Sequence, residues 1–173
     1  MATVNVSRER PRVILIAGPA GSGKSTLAAW IAQAWGYRRL SLMDPLTRLA
    51  EDLLGPGKHR AFKQAIGTVV RADHPTAFID RARRITEAGG RWVLDDIRYP
   101  TELAAWPDAL SIGLMAPPQT RALRLAVRDG AAMQNLAHAT EQMAVVAVAA
   151  CQWHFCNEGS LEDLYHWCRS QWG

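Results

Sequence analysis

Long apolar runs are missing from this chain. The longest, AVVAVAAC at 144–151, is far too short to cross a bilayer, which takes about 20 helical residues. The first twelve residues, MATVNVSRERPR, are polar and hold no apolar signal segment. Residues 1–11 are expected to form a flexible N-terminus. Together these absences predict a cytoplasmic protein (in the host cytoplasm if the chain is viral) with no membrane partner. Cysteine is scarce: Cys151, Cys156 and Cys168 are odd in number and lack metal-type spacing, so reduced, mostly buried thiols are expected. The histidines, His59, His74, His138, His154 and His166, form no spaced ligand set, and His154 inside a predicted strand reads as a packed core residue. Lysine is nearly absent. Of 20 basic residues all but Lys24, Lys58 and Lys63 are arginines. Arginine grips phosphate with a planar fork, but a GC-rich genome has the same effect, so position has to decide. No internal repeat, low-complexity tract or long linker interrupts the 173 residues, enough for one domain, 1–173, with a full core. At 49% hydrophobic, 21% charged and net +4, the composition is that of a soluble globular protein.

What is present is an alternation of strands and helices. RVILIA (12–17) reads as a buried strand. After it Leu27, Trp30, Ile31, Ala34 and Trp35 recur on one helical face, with Gly36 as a stop. YRRLSLM (37–43) reads as a second strand. Asp44, as N-cap before Pro45, opens a helix through Leu54. GPGKHR (55–60) breaks it. Helical segments follow over about 61–70 and 75–88, then a third strand RWVLD (91–95) and a fourth, ALSIGLM (109–115). Pro117-Pro118 opens a helix through about Asp129, QWHFCN (152–157) reads as a fifth strand, and Ser160 with Asp163 marks a last helix start. This order predicts an α/β fold with a five-stranded parallel sheet and helices on both faces.

GPAGSGKST (18–26) matches G-x-x-x-x-G-K-[ST] at Gly18, Gly23, Lys24 and Ser25, between a predicted strand and a predicted helix. That context defines a P-loop NTPase fold. Glycine lets the backbone of Gly18, Ala20, Gly21, Ser22 and Gly23 curl around phosphate oxygens, and the helix from Thr26 onward points its positive end at the anion. Lys24 is expected on the β- and γ-phosphates and Ser25 on Mg²⁺. The expected cofactors are therefore ATP and Mg²⁺.

Ligands of such sheets collect at the carboxyl ends of the strands. Asp44 follows strand two, and Asp95, Asp96 and Arg98 follow strand three in VLDDIRYPTE. Adjacent buried acids repel and need a partner. Either they form an ion pair with Arg98, or one of them organises Mg²⁺ from the second shell. Arg98 itself reads as a fork for an acceptor's phosphate. Asp44 is either a cap only or an acceptor ligand. RALRLAVRDG puts Arg121, Arg124 and Arg128 on one stripe of a helix, opposite Ala122, Leu123, Ala126 and Val127. The stripe is either a solvated face or a short lid that closes over a transferring phosphoryl group, the lid role resting chiefly on Arg124 and Arg128.

SLMDPLTRLAEDLLG, KQAIGTVVR, LDDIRYPTE and FCNEGSLEDL follow one another as in deoxynucleoside monophosphate kinases of the bacteriophage type, which the chain resembles over about residues 12–168. The resemblance implies transfer of the ATP γ-phosphate to a nucleoside monophosphate, with no nucleic acid as partner and a monomer or homodimer as the assembly. It implies catalytic roles for Lys24, Arg124, Arg128 and Asp96, and acceptor contacts for Asp44, Arg48, Arg71, Arg98 and Glu102. The chain departs from it at Thr47-Arg48, where the family has lysine, at Tyr99 for phenylalanine, and at Thr140-Glu141 for Ser-Glu. Dephospho-coenzyme A kinase, or another small-molecule P-loop kinase, shares the loop and the Asn-x-Gly-Ser tail but not the Asp-x-Arg-x-x-x-Glu stretch. A nucleotide-dependent switch or assembly ATPase would carry a hydrophobic run ending in Asp-Glu, or an Asn-Lys-x-Asp base motif, and neither occurs.

Overall fold

The computed structural model describes residues 10–129 and 139–172, without the side chains of 128, 129, 139, 140 and 172. Strands β1 (Val13–Ala17), β2 (Arg38–Leu40), β3 (Trp92–Ile97), β4 (Leu110–Met115) and β5 (Trp153–Cys156) form one parallel sheet in the order β2-β3-β1-β4-β5. Helices α1 (Lys24–Trp35), α2 (Asp44–Leu54), α3 (Arg60–Asp73), α4 (Ala77–Glu87), α5 (Pro100–Ala104), α6 (Pro118–Asp129), α7 (Ala139–Ala149) and α8 (Leu161–Trp172) connect and cover it.

Strand alternation sorts the apolar residues onto two faces. Ile14, Ile16, Val93, Ile112 and Leu114 meet Leu27 and Ile31 of α1 and Leu164 and Cys168 of α8. Leu15, Ala17, Trp92, Leu94 and Ile97 meet Phe78 and Ala82 of α4 and Ala147 and Val148 of α7. Alternation alone would put Leu94 and Ile97, three positions apart, on opposite faces. They share one because β3 carries an extra residue: Leu15 pairs with Leu94, but Ala17 pairs with Ile97. This β-bulge falls on Asp95 and Asp96, at the carboxyl end of the central strands. Gly113 lets α7 approach the sheet closely. A Cβ there would lie 2.9 Å from Val148 Cγ1 and 3.0 Å from Val148 O.

The expected sheet and its cover on both faces are present, and four local expectations are corrected. The second strand ends at Leu40, not Met43, because the backbone N–H groups of Leu42 and Met43 turn to the Asp96 carboxylate, each at 3.0 Å. Asp44 is the first helical residue of α2, with Met43 at the N-cap, and its carboxylate reaches back to Ser41 N–H at 3.2 Å. His154 is exposed, because β5 is an edge strand, and its Nε2 meets Val148 O at 2.8 Å. The apolar run at 144–151 lies mostly in a helix, α7, that the sequence reading did not assign. No helix among the described residues is long and apolar enough to cross a membrane.

Candidate functional site

The phosphate loop joins the end of β1 to the start of α1. Gly23, just before the helix, has φ 103°, and a Cβ there would lie 2.4 Å from Asn157 Nδ2. Glycine is required on both counts. The first turn of α1 holds no acidic residue and receives no side-chain cap, so its N–H groups are left for an anion. Lys24 is buried, and Nζ donates to Pro19 O at 2.9 Å. Burial, and then the Arg98 guanidinium, push the Lys24 ammonium down to about 7 from 10.5. An anion beside it would reverse that shift.

A cleft of about 390 Å³ opens above the loop. Ala20, Gly21, Gly23, Lys24, Ser25 and Thr26 form its floor, and Asp95, Asp96 and Arg98 stand on one side. Arg60 from the start of α3, Arg124 and Leu125 from α6, and Asn157 and Leu161 before and within α8 complete it. It sits beside β1, where the chain crosses from one half of the sheet to the other, as in doubly wound folds generally.

The two acids at the bulge have different partners. Asp95 is buried and pairs with Arg39 Nη2 at 2.8 Å. Asp96 accepts from Ser41 Oγ at 2.6 Å and from the two backbone N–H groups that end β2. Burial, then the Asp95 charge, push the Asp96 carboxyl above its ordinary range, and these hydrogen bonds oppose the shift. Neither acid is paired with Arg98 among the described contacts. Ser25 and the two carboxylates supply only hard oxygen donors, which suits a Mg²⁺ that takes most of its ligands from phosphate and water.

Arg98 is held at both ends. Its backbone N–H donates to Glu102 Oε2 at 2.7 Å, and Tyr99 N–H donates to the same oxygen at 3.0 Å. Its guanidinium pairs with Glu141 of α7. Glu102 is buried, which pushes its carboxyl up, and its other oxygen lies 3.6 Å from Arg71 Nη2. The Arg71 guanidinium packs over the rings of Phe78 and Tyr99, 5.2 and 5.1 Å from their centroids. Glu141 Oε2 accepts the Ala20 N–H at 2.7 Å. Burial pushes the Glu141 carboxyl up, but Arg98, the Ala20 N–H and Lys24 outweigh it and hold it below its ordinary value.

The sequence-predicted residues therefore divide. Ala20, Gly21, Gly23, Lys24, Ser25, Thr26, Asp95, Asp96, Arg98 and Arg124 line the cleft. Gly18 and Ser22 shape the loop behind it, with Ser22 fully buried. Asp44, Arg71 and Glu102 lie outside the described walls, and Arg48 is exposed on α2. The side chain of Arg128 lies outside the described residues, as do residues 130–138 of the expected lid. The apolar face of α6 points the wrong way for the expected packing: Leu123 and Val127 are 69% and 89% exposed, while Arg121 is buried. Arg121 Nε donates to Ala20 O at 3.0 Å, and Arg124 Nη1 lies 3.5 Å from Gly21 O. Arginines hold this helix to the phosphate loop. Sequence reasoning also missed Arg60, hidden in a segment read as a helix breaker. It missed Glu141 as a site residue and Asn157, whose Nδ2 donates to Ser22 O at 2.9 Å.

A parallel five-stranded sheet whose first strand runs through such a loop into a helix defines a P-loop protein of the small-kinase type of fold. The chain belongs to the AAA domain family, whose profile matches residues 14–143. It is 35% identical to cytidylate kinase of Halobacterium salinarum over 122 residues, 68% of this chain and 58% of that protein. It is 37% identical to cytidylate kinase of Natronomonas pharaonis over 131 residues, 73% of this chain and 62% of that protein. The matched part thus spans about three fifths of these relatives. Both are cellular proteins, so the bacteriophage attribution finds no support in them. Shikimate kinase from Acinetobacter baumannii in complex with shikimate superimposes with TM-score 0.60 at 16% identity, over 94% of this chain and 92% of that one. That likeness is one of fold.

Proposed function

We propose that this chain is an ATP-dependent kinase of nucleoside monophosphates, with cytidylate or deoxycytidylate the first acceptor to try. The reading rests above all on the cationic cleft. Lys24 stands at the loop, and Arg60, Arg98 and Arg124 face the same space. A neutral acceptor would not need three arginines beyond the loop lysine, whereas a phosphorylated one brings a dianion close to the ATP anion. The likeness to two cytidylate kinases supports cytosine as the first base to try. Ser25, with Asp95 or Asp96 behind it, would hold Mg²⁺, which when bound neutralises phosphate charge. Lys24 binds the transferring phosphate, Arg98 orients the acceptor phosphate, and Arg124 covers the phosphates from α6. No general base is required, because phosphoryl transfer between phosphates depends on positioning and charge. A coupled ADP-release screen tests the reading. It spans the common ribo- and deoxyribonucleoside monophosphates, dephospho-coenzyme A, shikimate and gluconate. Turnover highest with a cytidine monophosphate is expected. Turnover confined to the non-nucleotide acceptors, or none with any acceptor, overturns it.

A further inference from the structure

Glu141 bridges parts of the site that come from distant stretches of chain. One oxygen pairs with Arg98. The other accepts Ala20 N–H at 2.7 Å and lies 3.9 Å from Arg121 Nη2. Arg121 in turn donates to Ala20 O. The backbone N–H and C=O of Ala20 are thus held by Glu141 and Arg121 respectively, and the same carboxylate holds the arginine on the acceptor side. Glu141 is 9% exposed and is not a described wall of the cleft. It stands behind the reacting groups, and a buried carboxylate with several charge-assisted partners is fixed in place. A rigid link between the loop and Arg98 fixes the distance between two anions that must approach for transfer. Such placement acts on turnover far more than on binding.

We infer that Glu141 is a positioning residue that sets Arg98 against the phosphate loop, so that donor and acceptor phosphates are held in one frame. The kinetic half of this inference rests on the proposed kinase reading; the mechanical half, the tie between Arg98 and Ala20, does not.

A double-mutant cycle of Glu141→Gln and Arg98→Lys tests both halves. In ligand-free protein, hydrogen exchange at the Ala20 amide is followed by NMR. Arg98→Lys is expected to speed that exchange in the wild-type background and to leave it unchanged in Glu141→Gln, because the effect passes through the carboxylate. With the acceptor chosen by the screen, Glu141→Gln is expected to lower kcat by about tenfold or more, with the KM for ATP within about threefold. The two substitutions should be strongly non-additive in kcat. A purely structural role for Glu141 would give additive losses. Additive effects on kcat, or Ala20 exchange that ignores Arg98, overturn the inference. Should no monophosphate be turned over by the wild type, the kinase reading falls, and the exchange cycle still decides the tie.

Discussion

Lys24 carries the clearest consequence at the scale of a single residue. In the folded chain burial pushes its ammonium down to about 7, against 10.5 for an ordinary lysine. Between those values the unfolded chain binds a proton that the folded chain does not, so this group makes stability rise with pH across the interval. Urea unfolding of wild type and Lys24→Met, from pH 6.5 to 9.5, should show the difference growing in favour of the wild type. The slope approaches about 1 kcal/mol per pH unit; a flat difference would contradict the burial assigned to Lys24. A triphosphate that restores the charge should also draw in a proton at pH 8. Calorimetry in buffers of different ionisation enthalpy would detect it. Arg98 offers a second residue-level prediction. Arg98→Lys keeps the charge and loses the fork: the KM for the monophosphate should rise by about thirtyfold, equivalent to about 2 kcal/mol, and kcat should fall, with little change in ATP binding. Lys24 and Arg98 could be picked out from sequence because each sits in a local pattern that its chemistry requires. Glu141 stood out only as the glutamate of the Ser-Glu pair in the resemblance, without a role, since its partners Ala20 and Arg98 lie 121 and 43 residues away.

At the scale of an element, α6 shows what helical periodicity leaves open. The spacing fixes which side chains share a stripe, but not which stripe meets the protein. The Ala20 carbonyl and Glu141 give Arg121 partners that water would otherwise supply, and the small apolar stripe of Leu123 and Val127 is left outside. Removing Arg121 should therefore cost more than altering the apolar face. Arg121→Ala is expected to lower unfolding free energy by about 1–3 kcal/mol. Val127→Ser should stay within about 0.5 kcal/mol. Equal losses in urea titration would restore the packing expected from sequence. α7 escaped notice for a related reason: AVVAVA is apolar all round, and a segment without a polar face has no period to read. The β2 boundary was misplaced because an acid 53 residues away competes with the strand for the N–H of Met43. Gly113→Ala offers a direct check on how α7 packs. Its Cβ would crowd the Val148 backbone and side chain, and a loss of about 1–3 kcal/mol is expected.

Across the whole molecule, the sheet order was not legible beyond its parallel, doubly covered character, because pairing depends on which crossovers the core favours. The site gathers side chains from both ends of the chain. Asn157, at the end of β5, donates to Ser22 O beside Gly23 and receives its own position from Met115 O. The last strand and the loop after β1 are therefore stitched together through one amide. The bulge in β3 is a different kind of feature. Residues on both sides of it, Leu94 and Ile97, are fully buried on the same face, so the core would accept a strand shorter by one residue without any change of facing. The extra position supplies no packing; it supplies a second carboxylate, with Asp96 arresting β2 and Asp95 anchoring Arg39. Facing and charge are thereby uncoupled at this point of the sheet: a residue here can be chosen for what it does at the rim of the cleft, because the core on either side keeps its register without it.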